Sequence, residues 1–203
     1  MVPRDDDRPT LLARVDPMRC VSCGICAGSC APMGIGPPGR SGRDQLAAVR
    51  SSIELAGAVD IPIVAICCAE PSESHAMALR AAGAFVHPVP CVGSLHTSVI
   101  ELFLRSGAAG VIVFGCPPRD CINREGPKWL IERVFNDREA ELQTRVDRRR
   151  VRLATLAPGE VEESIAALES FARDLAILDR PHRDADTGDE LVCDAIGSSG
   201  SVQ

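Results

Sequence analysis

Tyrosine is absent from this chain, tryptophan occurs once, and aromatic residues make up only 3% of it. A surface for single-stranded nucleic acid needs stacking rings set in a basic stripe. Here the formal net charge is -6 and no such stripe exists, so nucleic acid is not an expected partner. Long apolar runs are lacking too: none approaches the ~20 residues that cross a bilayer. The N-terminal MVPRDDDRPT has no apolar signal region. The expectation is a soluble, cytoplasmic chain without a membrane span, at most peripheral to a membrane complex. No G-x-G-x-x-G follows a strand pattern, and no Ser-His-Asp or paired-carboxylate arrangement stands out.

What the chain has in quantity is cysteine, ten among 203 residues. Without a secretory leader that content points to metal binding or redox chemistry rather than disulfides. Nine of the ten fall into two sets. Cys20, Cys23, Cys26 and Cys30 are spaced C-x2-C-x2-C-x3-C, with Pro32 two residues further on. Such spacing wraps backbone around a cubane so that three thiolates reach three iron corners, and Gly24, Ala27 and Gly28 let the chain turn closely. It predicts a [4Fe-4S] cluster on Cys20, Cys23 and Cys26, with Cys30 closing it or serving a second cluster. A zinc knuckle is the ordinary competitor, but zinc sites usually pair two separated C-x2-C units.

The Gly/Pro-rich APMGIGPPGRSG that follows reads as a surface linker, and a helix is expected from Asp44 to Ala58, with Leu46, Val49, Ile53 and Ala56 as its stripe. From Ile61 the pattern alternates strand and helix. Strands are expected at Ile61–Cys67, Ala84–Val89, around Val111–Phe114 and at Val151–Leu156. Helices should run from Pro71–Ser72 to Ala82, through Leu95–Phe103, from Gly126–Pro127 to about Thr144 with Leu130, Ile131, Val134 and Phe135 inward, and from Pro158 to Leu178. Four βα units predict an α/β fold with a small four-stranded parallel sheet and flanking helices.

The second cysteine set lies at the strand ends. IPIVAICC closes on Cys67 and Cys68, FVHPVPC on Cys91, and GVIVFGCPPRDC carries Cys116 and Cys121. Parallel strands point the same way, so their carboxyl ends share the rim where such sheets bind ligands. Five thiols on one rim exceed the four that a [2Fe-2S] cluster needs. Buried free cysteines are the bland alternative. Adjacent side chains on a strand face opposite ways, so Cys67 and Cys68 should not ligate alike unless the strand has bent.

Two resemblances attach to these residues. The four-cysteine run and the residues before it, 1–36, resemble the second half of a bacterial two-cluster ferredoxin, with Met1 to Pro17 in place of the hairpin joining its motifs. Because the fourth cysteine of each run there ligates the other cluster, a further run is expected upstream of Met1 or on a neighbouring subunit. IVAICC, VPCVG and GVIVFGCPPRDC with the following Ile-Asn-Arg resemble the delta, or iron-sulfur, subunit of methyl-viologen-reducing hydrogenase. That resemblance implies a [2Fe-2S] domain relaying electrons between a hydrogenase or other donor and a flavoprotein similar to that of heterodisulfide reductase. The family pattern continues Cys-Cys-x-x-Cys, whereas Pro71 stands at the last position here.

The expected organisation is a ferredoxin-like segment (1–36), a linker and helix (37–60), an α/β relay domain (61–178) and a disordered tail (179–203) holding Cys193. His75, His87, His96 and His182 are scattered and read as loop or helix-surface residues. Arg148 to Arg150 mark a strand entrance, and Arg119 and Asp120 sit between two proposed ligands. The expected role is an electron-transfer component of an oxidoreductase rather than a complete enzyme, with hydrogenase, flavoprotein or cytochrome-type partners. A zinc-stabilised interaction module and a thiol redox sensor are the rival readings.

Overall fold

The computed structural model describes residues 2–3, 11–12, 15–56, 63–68, 73–123, 125–157 and 159–178. Two short strands, β1 (Val2–Pro3) and β2 (Leu11–Leu12), pair antiparallel. The turn expected between them, Asp5 to Pro9, lies outside the described residues, as do the tail from 179, Cys193, His182 and the Pro71–Ser72 helix start. A five-residue helix, α1 (Ile25–Ser29), occupies the middle of the four-cysteine run.

The main sheet is parallel. Its strands β3 (Ile63–Cys68), β4 (Ala84–Val89), β5 (Gly110–Gly115) and β6 (Val151–Thr155) lie in the order β4-β3-β5-β6. The β-branched runs IVAI and GVIVFG take the two central places, where both faces are covered. AFVHPV, whose Pro88 cannot donate to a ladder, takes an edge.

Strand alternation divides the core in two. Val64, Ile66, Val111 and Val113 face α2 (Gly42–Ala56), α4 (Thr97–Arg105) and α5 (Gly126–Phe135). Ile63, Ala65, Ile112 and Phe114 face α3 (Glu73–Ala81) and α6 (Val161–Leu178). The α2 start is a reciprocal cap: Asp44 Oδ2 accepts from Ser41 N–H at 2.8 Å while Ser41 Oγ accepts from Asp44 N–H at 3.3 Å. That cap starts the helix two residues ahead of the expected Asp44.

One helix departs further. α5 ends at Phe135 rather than near Thr144. Asp137 and Ala140 adopt φ of 51° and 58°, which no helix continues. The chain is then fastened back: Leu142 N–H donates to Arg133 O at 3.0 Å, and Arg148 donates to Val134 O at 2.8 Å and Leu142 O at 3.3 Å. Leu142 thereby fills the core position that helix continuation would have supplied. Ile131 and Phe135, expected inward, are part-exposed over β6, because that edge strand has no further neighbour to support a covering layer.

The strand order contains a reversal. From β3 the chain crosses to β4 on one side, whereas β5 lies on β3's other side. Loops leaving β3 and β5 therefore diverge, and the carboxyl ends of these two strands are the place where open sheets of this kind form a ligand crevice.

Candidate metal centre

Cys68 is the last residue of β3 and Cys116 the first after β5, so the two flank that crevice directly. Their sulfurs stand 3.3 Å apart. Cys91 follows β4 and leads into a 3-10 turn, Val92–Ser94, that carries the chain over the sheet edge. Cys121 comes from the β5–α5 loop, whose Pro117–Asp120 turn is closed by Asp120 N–H donating to Pro117 O at 2.9 Å. Both Cys91 and Cys121 are buried. Gly126, at the start of α5, holds the space between them: a β-carbon there would stand 2.8 Å from Cys91 Sγ and 3.6 Å from Cys121 Sγ. Four thiols from three strand ends thus meet at one corner, packed so closely about Gly126 that even a methyl group there would collide with Cys91 Sγ.

The group is electrostatically coupled. Hydrogen bonding from Cys91 pulls the Cys68 thiol below its ordinary pKa against the cost of burial, and the Val92 backbone assists. Cys91, on the donating side of that bond and desolvated, is pushed up. Burial likewise raises Cys116. Four soft sulfur donors with no oxygen ligand among them match the demand of a [2Fe-2S] group, which takes four thiolates. Among the described residues no group of three or more His, Cys, Asp or Glu side chains is disposed around a single metal ion.

Cys67 is not brought into this set. Alternation turns it to the opposite face, into the core of Ala65, Leu79 and Phe114, with 4% exposure. Burial alone lifts its thiol to about 11.

The four-cysteine run is seated against the same corner of the fold. Cys20 and Cys26 are exposed, and Cys23 and Cys30 half-buried. Ser22 and Gly24 take left-handed φ of 54° and 79°, and Gly24 caps α1. Arg40, from the Gly/Pro-rich linker, donates to Ser22 O at 3.2 Å. Gly28 packs against the 3-10 turn so closely that a β-carbon would lie 2.9 Å from Gly93 O. Gly93 in turn abuts Gly126, where its own β-carbon would stand 2.5 Å from Cα. Close approaches at Gly28, Gly93 and Gly126, with the Arg133 side chain beside Gly28, thus connect the segment of Cys26 and Cys30 to Cys91 and Cys121.

The remaining singled-out residues have structural partners. His96 caps α4, its Nδ1 accepting from Ser98 N–H at 3.1 Å, and His75 meets Ser164 Oγ at 2.9 Å. His87 lies edge-on to Phe103, and burial lowers its pKa. Arg119 extends into solvent beside Asp120. Sequence reasoning passed over Gly93, Gly126 and Arg133. Arg133 falls three residues after Leu130 and directly before Val134, a cation inside an apolar stripe, which was the available signal.

An open groove of about 680 Å³, lined by Ile131, Phe135, Leu153 and Ile177, lies along the β6 edge, away from the thiols. No helix among the described residues is long and apolar enough to cross a membrane. The family described as methyl-viologen-reducing hydrogenase, delta subunit, matches residues 63–179. No curated protein matches the chain.

Proposed function

The chain belongs to the methyl-viologen-reducing hydrogenase delta-subunit family, and on that premise we propose that it is an iron-sulfur electron-transfer subunit relaying electrons between redox partner subunits. The observation that carries this reading is the meeting of Cys68, Cys91, Cys116 and Cys121 at the strand-order reversal. Those four would hold a [2Fe-2S] cluster. Cys20, Cys23 and Cys26 would hold a [4Fe-4S] cluster in the ferredoxin-like segment, with Cys30 closing it. When bound, such groups supply one-electron transfer.

The protein's own part is to bind, space and dry them. The strand ends hold Cys68 and Cys116 on rigid supports, while Val92, Pro127 and Leu130 exclude water from the inner side. The contacts of Gly28 with Gly93, and of Gly93 with Gly126, draw the two cysteine sets together, with the Arg133 guanidinium the side chain set against Gly28. Exposure of Cys20 and Cys26 gives the outer set access to a second protein, for which a hydrogenase, flavoprotein or cytochrome-type subunit is the fitting chemistry. The relay domain is assigned to 61–178 and the location to the cytoplasm or the periphery of a membrane complex.

Iron and acid-labile sulfide analysis of anaerobically prepared protein, with EPR after dithionite reduction, tests the reading. Two signals are expected, one fast-relaxing and one persisting at higher temperature. Zinc without iron would leave the interaction module instead. The 3.3 Å approach of Cys68 to Cys116 favours the thiol-sensor alternative as a second reading. A Cys68–Cys116 disulfide that forms and reduces reversibly in iron-free native protein would establish that one.

A further inference from the structure

Arg133 is the largest fully buried side chain among the described residues, 1% exposed on the inner face of α5. Its guanidinium donates to Gly93 O at 2.8 Å, Leu95 O at 3.2 Å and Ser29 Oγ at 3.3 Å, and its Nε has no acceptor. Every acceptor is neutral. Glu101, a buried carboxylate of the same region, is engaged by Arg145 at 2.9 Å and by Gln143 N–H. Desolvation pushes the Arg133 pKa down to about 10, so it stays a cation near neutrality, and the nearness of Cys91 works against the shift. A buried cation held only by neutral groups is costly, and a fold retains one where an anion compensates it.

Its position indicates which anions. Gly93 lies two residues beyond Cys91, and Ser29 immediately precedes Cys30. The guanidinium also fills the seam between the two segments: a β-carbon on Gly28 would stand 2.6 Å from Nη2. We propose that Arg133 is an internal countercharge shared by the two cysteine sets, offsetting the negative charge of thiolates and inorganic sulfide and raising the reduction potentials of both centres. The inference rests on the electron-transfer reading above and deepens it by naming a residue that sets the potentials. Reduction adds an electron, and a fixed positive charge in a poorly polarisable interior favours the more negative form.

The test is redox titration, followed by EPR, of the full chain and of Arg133→Gln, Arg133→Met and Arg133→Lys, each checked for iron, sulfide and thermal unfolding. The neutral variants are expected to lower the reduction equilibrium constant of both centres by about tenfold, or ~59 mV for a one-electron couple. Arg133→Lys, which keeps the charge but loses the planar fork, should stay near the wild-type values. If Gln disturbs folding, Met provides the neutral comparison with an apolar stem, and neutral variants that unfold while Lys folds with wild-type potentials also support the countercharge. Potentials indifferent to charge at this position, a shift confined to one centre, or a Lys variant shifted as far as Gln would overturn it. Wild-type protein without iron overturns the electron-transfer reading itself, a separate outcome.

Discussion

At the scale of residues, two neighbouring cysteines have opposite fates because a strand alternates. Cys68 faces the crevice, and Cys67 is packed among Ala65, Leu79 and Phe114. Cys68→Ala is therefore expected to abolish the [2Fe-2S] absorbance and EPR signal, whereas Cys67→Ala should keep both and cost about 1 kcal/mol of stability for the small cavity. Chemical denaturation with iron quantified in parallel separates the two. The Cys67 thiol is raised from 9.0 to about 11 by folding. Its contribution to stability is complete below pH 9 and is lost as pH rises towards 11, on the order of 3 kcal/mol in all. Cys67→Ala should flatten that alkaline limb, and an unaltered limb would show that another group causes it. Gly126→Ala places a methyl 2.8 Å from Cys91 Sγ, and loss of the [2Fe-2S] signal with the fold retained by circular dichroism is the expected result.

At the scale of elements, the segment from Asn136 to Asp147 is an irregular connection held by Arg148. Its salt bridge to Asp137, whose carboxylate is largely exposed, adds little. Its bonds to Val134 O and Leu142 O carry the effect. Arg148→Ala should lower stability by about 1–2 kcal/mol while leaving iron content unchanged, which thermal unfolding and metal analysis would check together. This connection also marks where the sequence ceased to be readable. Strands such as Ala84–Val89 were legible because their runs are short and bounded by Gly and Pro, and α4 because its stripe repeats at 3.6 residues. The polar stretch after Phe135 carries no Gly or Pro to announce an end. Only the left-handed turns at Asp137 and Ala140, imposed by tertiary contacts, stop the helix.

At the scale of the whole molecule, the cysteine sets were legible as two lists but not as one structure. Spacing and strand ends pointed to both; nothing local in VPCVGS or REGPKW announced that Gly93 and Gly126 would touch, or that Gly28 would rest on Gly93. Close approach of backbones distant in sequence leaves no periodic trace. Gly28→Val should unseat the four-cysteine segment from that corner, freeing Arg40 from Ser22 O for rapid tryptic cleavage while the α/β core remains protected. Equal cleavage rates in both proteins would argue against the seat. The same contact bears on how the chain is made. A five-residue helix has no stability of its own, and the surface it rests on includes Arg133. At synthesis rates of about 5–20 residues per second, the cysteines made first wait roughly 5–20 s for that surface. During this interval Cys20, Cys23, Cys26 and Cys30 are unseated thiols, so oxidation during synthesis is a hazard for this segment in addition to oxidation of the finished, exposed Cys20 and Cys26.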